Sequence, residues 1–169
     1  MAGPEDTFVA YGTGWANVSN TPFRGYKHDA YEGGISTPLI VHWPKGIPAD
    51  RQGGLADSPS HLVDVMATVV NATNATYPDS FDGQKIRPME GVSLLPMLNG
   101  KDLVRENPIC FEHHGNKALR DGRWKIVCAY RKDQPNRWEL YDMEADRTEM
   151  NDLSNEHADR KRSMVEAWQ

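Results

Sequence analysis

Lys27 is a lone cation just ahead of a double glycine, in Tyr26-Lys27-His28-Asp29-Ala30-Tyr31-Glu32-Gly33-Gly34. Taken by itself, a lysine in such a loop reads as a solvated charge. His113 is the second candidate. It falls at the end of an expected strand beside a Gly-Asn turn, where an imidazole can reach a substrate; the plain alternative is a ring bonded to backbone. His113-His114 makes a poor metal pair, because neighbours in a strand point to opposite faces. No metal-ligating residue is assigned, since a hard divalent cation needs several oxygen ligands and no such cluster is visible. Glu32 reads as fixing the glycine turn rather than as a base. His61 and Asp64 carry ligand atoms but are given helix-end and surface roles. Ser93, in Gly91-Val92-Ser93-Leu94-Leu95, lacks the second glycine of a nucleophile elbow. Gly12 and Gly14 are not followed by the Lys-Ser/Thr and helix of a phosphate loop.

The elements that must position these groups follow from the pattern. Gly33 and Gly34 allow backbone angles that a Cβ disfavours. Leu39, Ile40, Val41 and Trp43, bracketed by Pro38 and Pro44, suit a short interior strand covered on both faces, although a buried helix segment fits the run as well. Met1 to Phe23 reads as irregular loop, and so does Tyr77 to Arg87. Ser58-Pro59 resembles a cap and first turn. Leu62, Val63, Val65, Met66, Val69 and Val70 then recur at helical spacing as far as Asn71 to Asn74. From Asn107 the period changes to two. Strands are expected at 109–114, 117–120, 123–130 and 138–142, with Asp121-Gly122 as a hairpin turn and Trp124, Ile126, Cys128 and Tyr130 on one face. His157 to Trp168 reads as a terminal helix, with Met164, Val165 and Trp168 available to pack.

Composition narrows the class. The 169 residues carry 19 Lys and Arg against 24 Asp and Glu, a formal charge of -5, which argues against a nucleic-acid surface. No run of 18 apolar residues exists, so no membrane span is expected. Met1 to Asp6 lacks the basic and apolar regions of a signal peptide. Cys110 and Cys128 are too few for a disulfide framework and read as free buried thiols. Asn17-Val18-Ser19, Asn71-Ala72-Thr73 and Asn74-Ala75-Thr76 match the glycosylation acceptor pattern, which matters only in a secreted eukaryotic protein.

One further reading covers nearly the whole chain. Lys27, a four-residue spacer, Glu32-Gly33-Gly34, Pro38, the run Leu39 to Val41 and Trp43-Pro44 form one ordered series. Trp15-Ala16-Asn17 and Thr21-Pro22-Phe23-Arg24 precede it. Gly91-Val92-Ser93-Leu94-Leu95-Pro96-Met97-Leu98 follows. The hairpin Glu112-His113-His114-Gly115-Asn116-Lys117-Ala118, with Arg120, Gly122, Trp124 and Lys125, comes next. Trp138 to Asp142 and Asp146-Arg147-Thr148-Glu149, with Asn151-Asp152-Leu153, complete it. In these motifs the sequence resembles the sulfatase family.

The resemblance implies an α/β fold of α+β fragment type. It would hold the edge of a large mixed sheet with helices, then a small four-stranded antiparallel sheet and a C-terminal helix. Residues 1–105 would be the C-terminal portion of the catalytic domain and 106–169 the C-terminal subdomain. The family hydrolyses aryl or carbohydrate sulfate esters with calcium and a formylglycine made within Cys/Ser-x-Pro-x-Arg, and that motif is not in this sequence. Lys27 matches the active-site lysine that binds the substrate's sulfate, and His113 is the candidate substrate-binding residue. The full-length parent would supply the nucleophile, calcium and formylglycine from an N-terminal portion, and a periplasmic or secreted parent fits the family. The chain alone is expected to be inactive, to bind neither nucleic acid nor membrane, and to self-associate through exposed strand edges. A related phosphodiesterase or phosphonate hydrolase, and a non-catalytic docking module, are the alternatives.

Overall fold

The computed structural model describes residues 4–7 and 12–169. In chain order the elements are α1 (Gly12–Ser19), α2 (Glu32–Ile35), a 3-10 turn (Ala49–Arg51), α3 (Val63–Thr73), β1 (Ser80–Phe81) and β2 (Gln84–Lys85). Then follow α4 (Leu95–Leu98), β3 (Ile109–His113), β4 (Asn116–Asp121), β5 (Trp124–Cys128), β6 (Glu139–Asp142) and α5 (Ala158–Trp168). The described residues up to Leu39 and Asn107–Gln169 form one compact unit, and Ile40–Glu106 forms a second. Among the described residues no helix is long and apolar enough to cross a membrane.

The fold is mixed α/β, with the expected four-stranded antiparallel sheet and C-terminal helix in the first unit. The strands run in the order β3-β4-β5-β6, each pairing with its sequence neighbour. Two-residue turns fix the register. His113 faces Asn116 across His114-Gly115, and Asp121 faces Trp124 across Gly122-Arg123. His114 and Gly115 both have positive φ, at 50° and 81°, as a hairpin turn whose twist matches the strands requires.

Both faces of this sheet are covered, so the alternating residues of β5 are buried on both sides. Leu119, Ile126 and Leu140 pack with Met164 of α5, flanked by Trp124, Trp138, Leu153, Val165 and Trp168. The opposite face joins Ala118, Val127, Tyr141 and Met143 to Ala30 and Tyr31 from the N-terminal segment. A fully buried apolar side chain contributes about 1.5–3 kcal/mol, so this second layer holds the segment carrying Lys27 against the sheet. Tyr130 lies beyond β5 and is exposed. Cys128 is buried and Cys110 exposed, and both are free thiols.

The structure departs from expectation at several points. The expected N-terminal loop contains helix α1; residues 1–3 and 8–11 of that stretch lie outside the described residues. The expected polar loop after Tyr77 contains the β1–β2 hairpin, turned by Asp82 and Gly83, both at positive φ. The apolar run Leu39 to Trp43 forms no strand among the described residues, and Ile40 is 90% exposed. A strand buried on both faces needs partners on both sides, and no described strand pairs with this run. Helix α3 begins at Val63, after the expected cap, and Leu62, Val65, Met66 and Val69 are exposed. The side of α3 that is buried carries Ala67 and Asp64.

Asp64 is therefore a buried hub and not a surface residue. Its carboxylate accepts the His61 N–H at 2.6 Å and the Val92 N–H at 2.9 Å. It also takes both terminal nitrogens of Arg105, the nearer at 2.5 Å. Ser93 donates to Asn71 Oδ1 at 2.8 Å, which ties up its hydroxyl.

Candidate functional site

The turn that carries Lys27 is set by backbone and a carboxylate. The Asp29 N–H donates to the Tyr26 carbonyl at 2.9 Å, and the Tyr26 N–H donates to Asp29 Oδ2 at 3.0 Å. Lys27 and His28 occupy the tip. His28 has φ 88°, in the region where glycine is usual, at a cost of about 1–2 kcal/mol. Lys27 is exposed and makes no hydrogen bond or ion pair with the described residues.

Behind the turn, the two glycines act by their lack of bulk, not by unusual angles, since neither has positive φ. A Cβ on Gly33 would lie 2.4 Å from the carbonyl oxygens of Arg24 and Gly25. One on Gly34 would lie 2.1 Å from the Asp29 oxygen. The helical turn α2 thus packs directly on the backbone of the lysine turn.

Glu32, at the start of α2, anchors this arrangement to the sheet. Lys125 Nζ of β5, fully buried, lies 2.8 Å from Glu32 Oε1 and 2.7 Å from Glu149 Oε1. Glu149 Oε2 accepts the Glu32 N–H at 2.7 Å. Arg147 donates to Glu32 Oε2 at 3.2 Å and sits over the Phe23 ring. Burial pushes the Glu32 carboxyl up, but Lys125 and Arg147 outweigh it and hold the group below the usual carboxylate range. Burial dominates at Glu149, whose carboxyl stays above that range despite Lys125. The loop that delivers Arg147 and Glu149 is wound on Asp146, which accepts from the Thr148 hydroxyl and from the N–H groups of Met150 and Asn151. Glu32 is thus engaged as a structural anchor, as its sequence position suggests.

A neighbouring layer is phenolic. Tyr31 and Tyr141 both donate to Glu139 Oε2, at 2.5 and 2.8 Å, and Arg24 lies over the Tyr31 ring and donates to the Glu149 carbonyl. Burial and the bonds to Glu139 raise both phenol pKa values well above their ordinary level.

At the other end of the turn, His28 meets the β3–β4 hairpin. Its Nδ1 lies 3.1 Å from His113 Nε2, and the two rings stack with centroids 5.1 Å apart. His114 packs edge-on to His113 at 4.3 Å. The strand-alternation argument against pairing His113 with His114 fails because β3 ends at His113 and His114 turns into the left-handed region. All three rings are exposed, and one nitrogen from each lies within 4.8 Å of the others. The residue next to Lys27, and not Lys27 itself, therefore touches His113.

The implied calcium does not fit these residues. Among the described residues the histidine trio is the one gathering of three or more His, Cys, Asp or Glu able to hold an ion, and calcium takes hard oxygen donors.

Comparison with known proteins identifies the family. Residues 26–166 match the family described as N-sulphoglucosamine sulphohydrolase, C-terminal. The chain belongs to the sulfatases. It is 27% identical over 98% of its length to an uncharacterised sulfatase of Schizosaccharomyces pombe, and 28% identical over 89% to the choline-sulfatase of Rhizobium meliloti. Mouse steryl-sulfatase is 33% identical over 63% of the chain. The chain spans 30, 27 and 15% of those relatives' lengths, and the family description it matches is that of a C-terminal part. Among solved structures, Ps i-CgsB superposes on 88% of the chain with TM-score 0.67 at 24% identity, over 32% of its own length. A Bacteroides thetaiotaomicron protein of glycosaminoglycan metabolism superposes on 85% with TM-score 0.65 at 23% identity, over 30% of its own length. Both show the fold.

Within this chain, sequence reasoning missed His28, whose neighbour Lys27 drew the attention. It also missed Lys125 and Glu149 as partners of Glu32. For His28 the signal was present: a non-glycine residue between Lys27 and an Asp able to close a tight turn.

Proposed function

We propose that the protein whose C-terminal part this chain forms hydrolyses aryl or carbohydrate sulfate esters. Lys27 contacts a sulfate oxygen of the substrate as a charge-assisted donor and offsets negative charge that grows on the leaving group's side of the reaction. His113 lines the substrate pocket. In the full-length parent an N-terminal portion of the same protein would hold calcium and carry the formylglycine. In domain terms, residues 1–105 complete the catalytic domain and 106–169 form the C-terminal subdomain. The chain by itself is inactive, because no residue in it is a formylglycine precursor. The observation that supports this reading most is the His28–His113 contact, which joins the Lys27 turn to the hairpin residue chosen independently.

The exposed apolar residues add a second support. Ile40 and Leu62 are 90% and 82% exposed, and Val65, Met66 and Val69 on α3 are open as well. Apolar side chains left this open along one helix and its approach suit docking on further protein. The N-terminal portion of the parent is the proposed occupant, and self-association of the isolated chain is the expected behaviour without it.

The test is hydrolysis of an aryl sulfate in the presence of calcium, by the 169-residue chain and by a longer chain with the upstream coding segment. Activity only in the longer protein supports the proposal. Sulfate release by the 169-residue chain alone overturns the division of labour. Turnover of phosphate esters or phosphonates in preference to sulfates overturns the substrate class.

A further inference from the structure

We propose that His28, His113 and His114 form a binding site for a zinc ion. Three imidazoles from two separated stretches converge at the lysine turn. The His28 Nδ1–His113 Nε2 separation is 3.1 Å. Two imidazole nitrogens that close share either one proton or one metal. Tetrahedral zinc, with Zn–N of about 2.0–2.1 Å, sets its nitrogens roughly 3.3–3.4 Å apart. The three ligand nitrogens all lie within 4.8 Å of one another, so closure around zinc takes no more than about 1.5 Å of approach by exposed rings at the bond lengths zinc prefers.

The backbone beneath is fixed before any ion arrives. The Tyr26–Asp29 bonds hold His28. Around the hairpin tip, the Gly115 N–H donates to Glu112 Oε1, Asn116 Nδ2 to the His113 carbonyl, and the Tyr130 N–H to Asn116 Oδ1. These bonds also engage the neighbouring carboxylates, Asp29 and Glu112, with backbone N–H groups. The donor set offered is therefore nitrogen, which favours late first-row divalent ions over calcium and magnesium. Three protein ligands leave a fourth position for water or an anionic oxygen.

Titration of the zinc-free 169-residue chain with zinc chloride, followed by calorimetry and by imidazole 15N resonances, tests the site. The expected result is saturation at one zinc per chain, with the nitrogen resonances of three histidines shifting together and a millimolar excess of calcium failing to compete. His28→Ala, His113→Ala and His114→Asn should each weaken zinc binding at least about 10-fold, the asparagine being chosen because it tolerates the left-handed turn. His42→Ala, outside the trio, should leave binding unchanged. The proposal is overturned by absence of saturable binding, by equal weakening in His42→Ala, or by calcium displacing zinc. Should a variant fail to fold, the wild-type resonances decide: no concerted shift of three histidines at one equivalent also overturns it. None of these outcomes depends on sulfate ester hydrolysis.

Discussion

Glu32 and Lys125 lie 93 residues apart in the chain and meet at 2.8 Å inside the first unit. One sits at the double-glycine turn and the other near the start of β5. The ammonium is fully buried, with a second carboxylate, Glu149, on its other side. A buried charge in this setting is tolerated only through its partners.

Removing that ammonium leaves two buried carboxylates facing each other. Lys125→Met is expected to destabilise the first unit by about 3–5 kcal/mol, read as a lower urea midpoint. Glu149→Gln, which keeps shape and the acceptor for the Glu32 N–H, should cost clearly less. Equal losses in the two variants would contradict this ordering and show that the ammonium is no more important to the cluster than the Glu149 carboxylate.

Asp64 predicts a pH dependence in the second unit. Burial raises its carboxyl, but the Arg105 bonds and the N–H groups of Val92 and His61 outweigh that and lower it below the ordinary value. A depressed folded-state pKa contributes stability that is present above the unfolded value of roughly 4. That contribution is lost as pH falls through the folded value. Asp64→Asn should cost about 2–3 kcal/mol at pH 7. The gap between wild type and variant should narrow as pH drops below roughly 4. Denaturation curves across pH 3 to 7 check this; a constant gap would exclude ionisation of Asp64 as its source.

Gly34→Ala tests the close packing behind the lysine turn. Its Cβ would meet the Asp29 carbonyl oxygen at 2.1 Å, a backbone atom that cannot rotate aside. A loss of about 2 kcal/mol or more is expected, typical of overpacking, with the amide resonances of Tyr26 to Asp29 displaced. Gly12→Ala, where nothing lies within 4 Å, serves as comparison; its positive φ makes some cost expected there too, without displacing those resonances.

Lys27→Met in the longer protein should lower kcat for an aryl sulfate by about 100- to 1000-fold, the scale for one preorganised donor. The melting temperature should stay unchanged, because this exposed side chain bonds to no described residue. A parallel loss of stability would assign Lys27 to structure.

The C-terminal sheet was legible in the sequence because period two, turn glycines and aromatic residues all point the same way between Ile109 and Asp142. Helix α5 was legible from Met164, Val165 and Trp168. The run Leu39 to Trp43 misled because apolar character marks what a segment tends to bury, not what stands beside it. The apolar stripe of α3 misled in the same way. Asp64 was misplaced for the opposite reason: a carboxylate reads as surface until its partner, Arg105, is known, and that pairing spans 41 residues. At the candidate site, Lys27 and His113 were visible as residue types. His114 was seen and set aside, because strand alternation hides what a left-handed residue at the hairpin tip brings back, and His28 went unread beside Lys27.

The contact between Glu32 and Lys125 also orders events in time. A ribosome adds about 5–20 residues per second, so roughly 5 to 20 s separate the synthesis of Glu32 from that of Lys125. Glu149 and Arg147 emerge later still. Through that interval Glu32 has none of its ion-pair partners, while Ile40–Glu106, a compact unit, is made in between. The lysine turn is thus made well before the residues that anchor it.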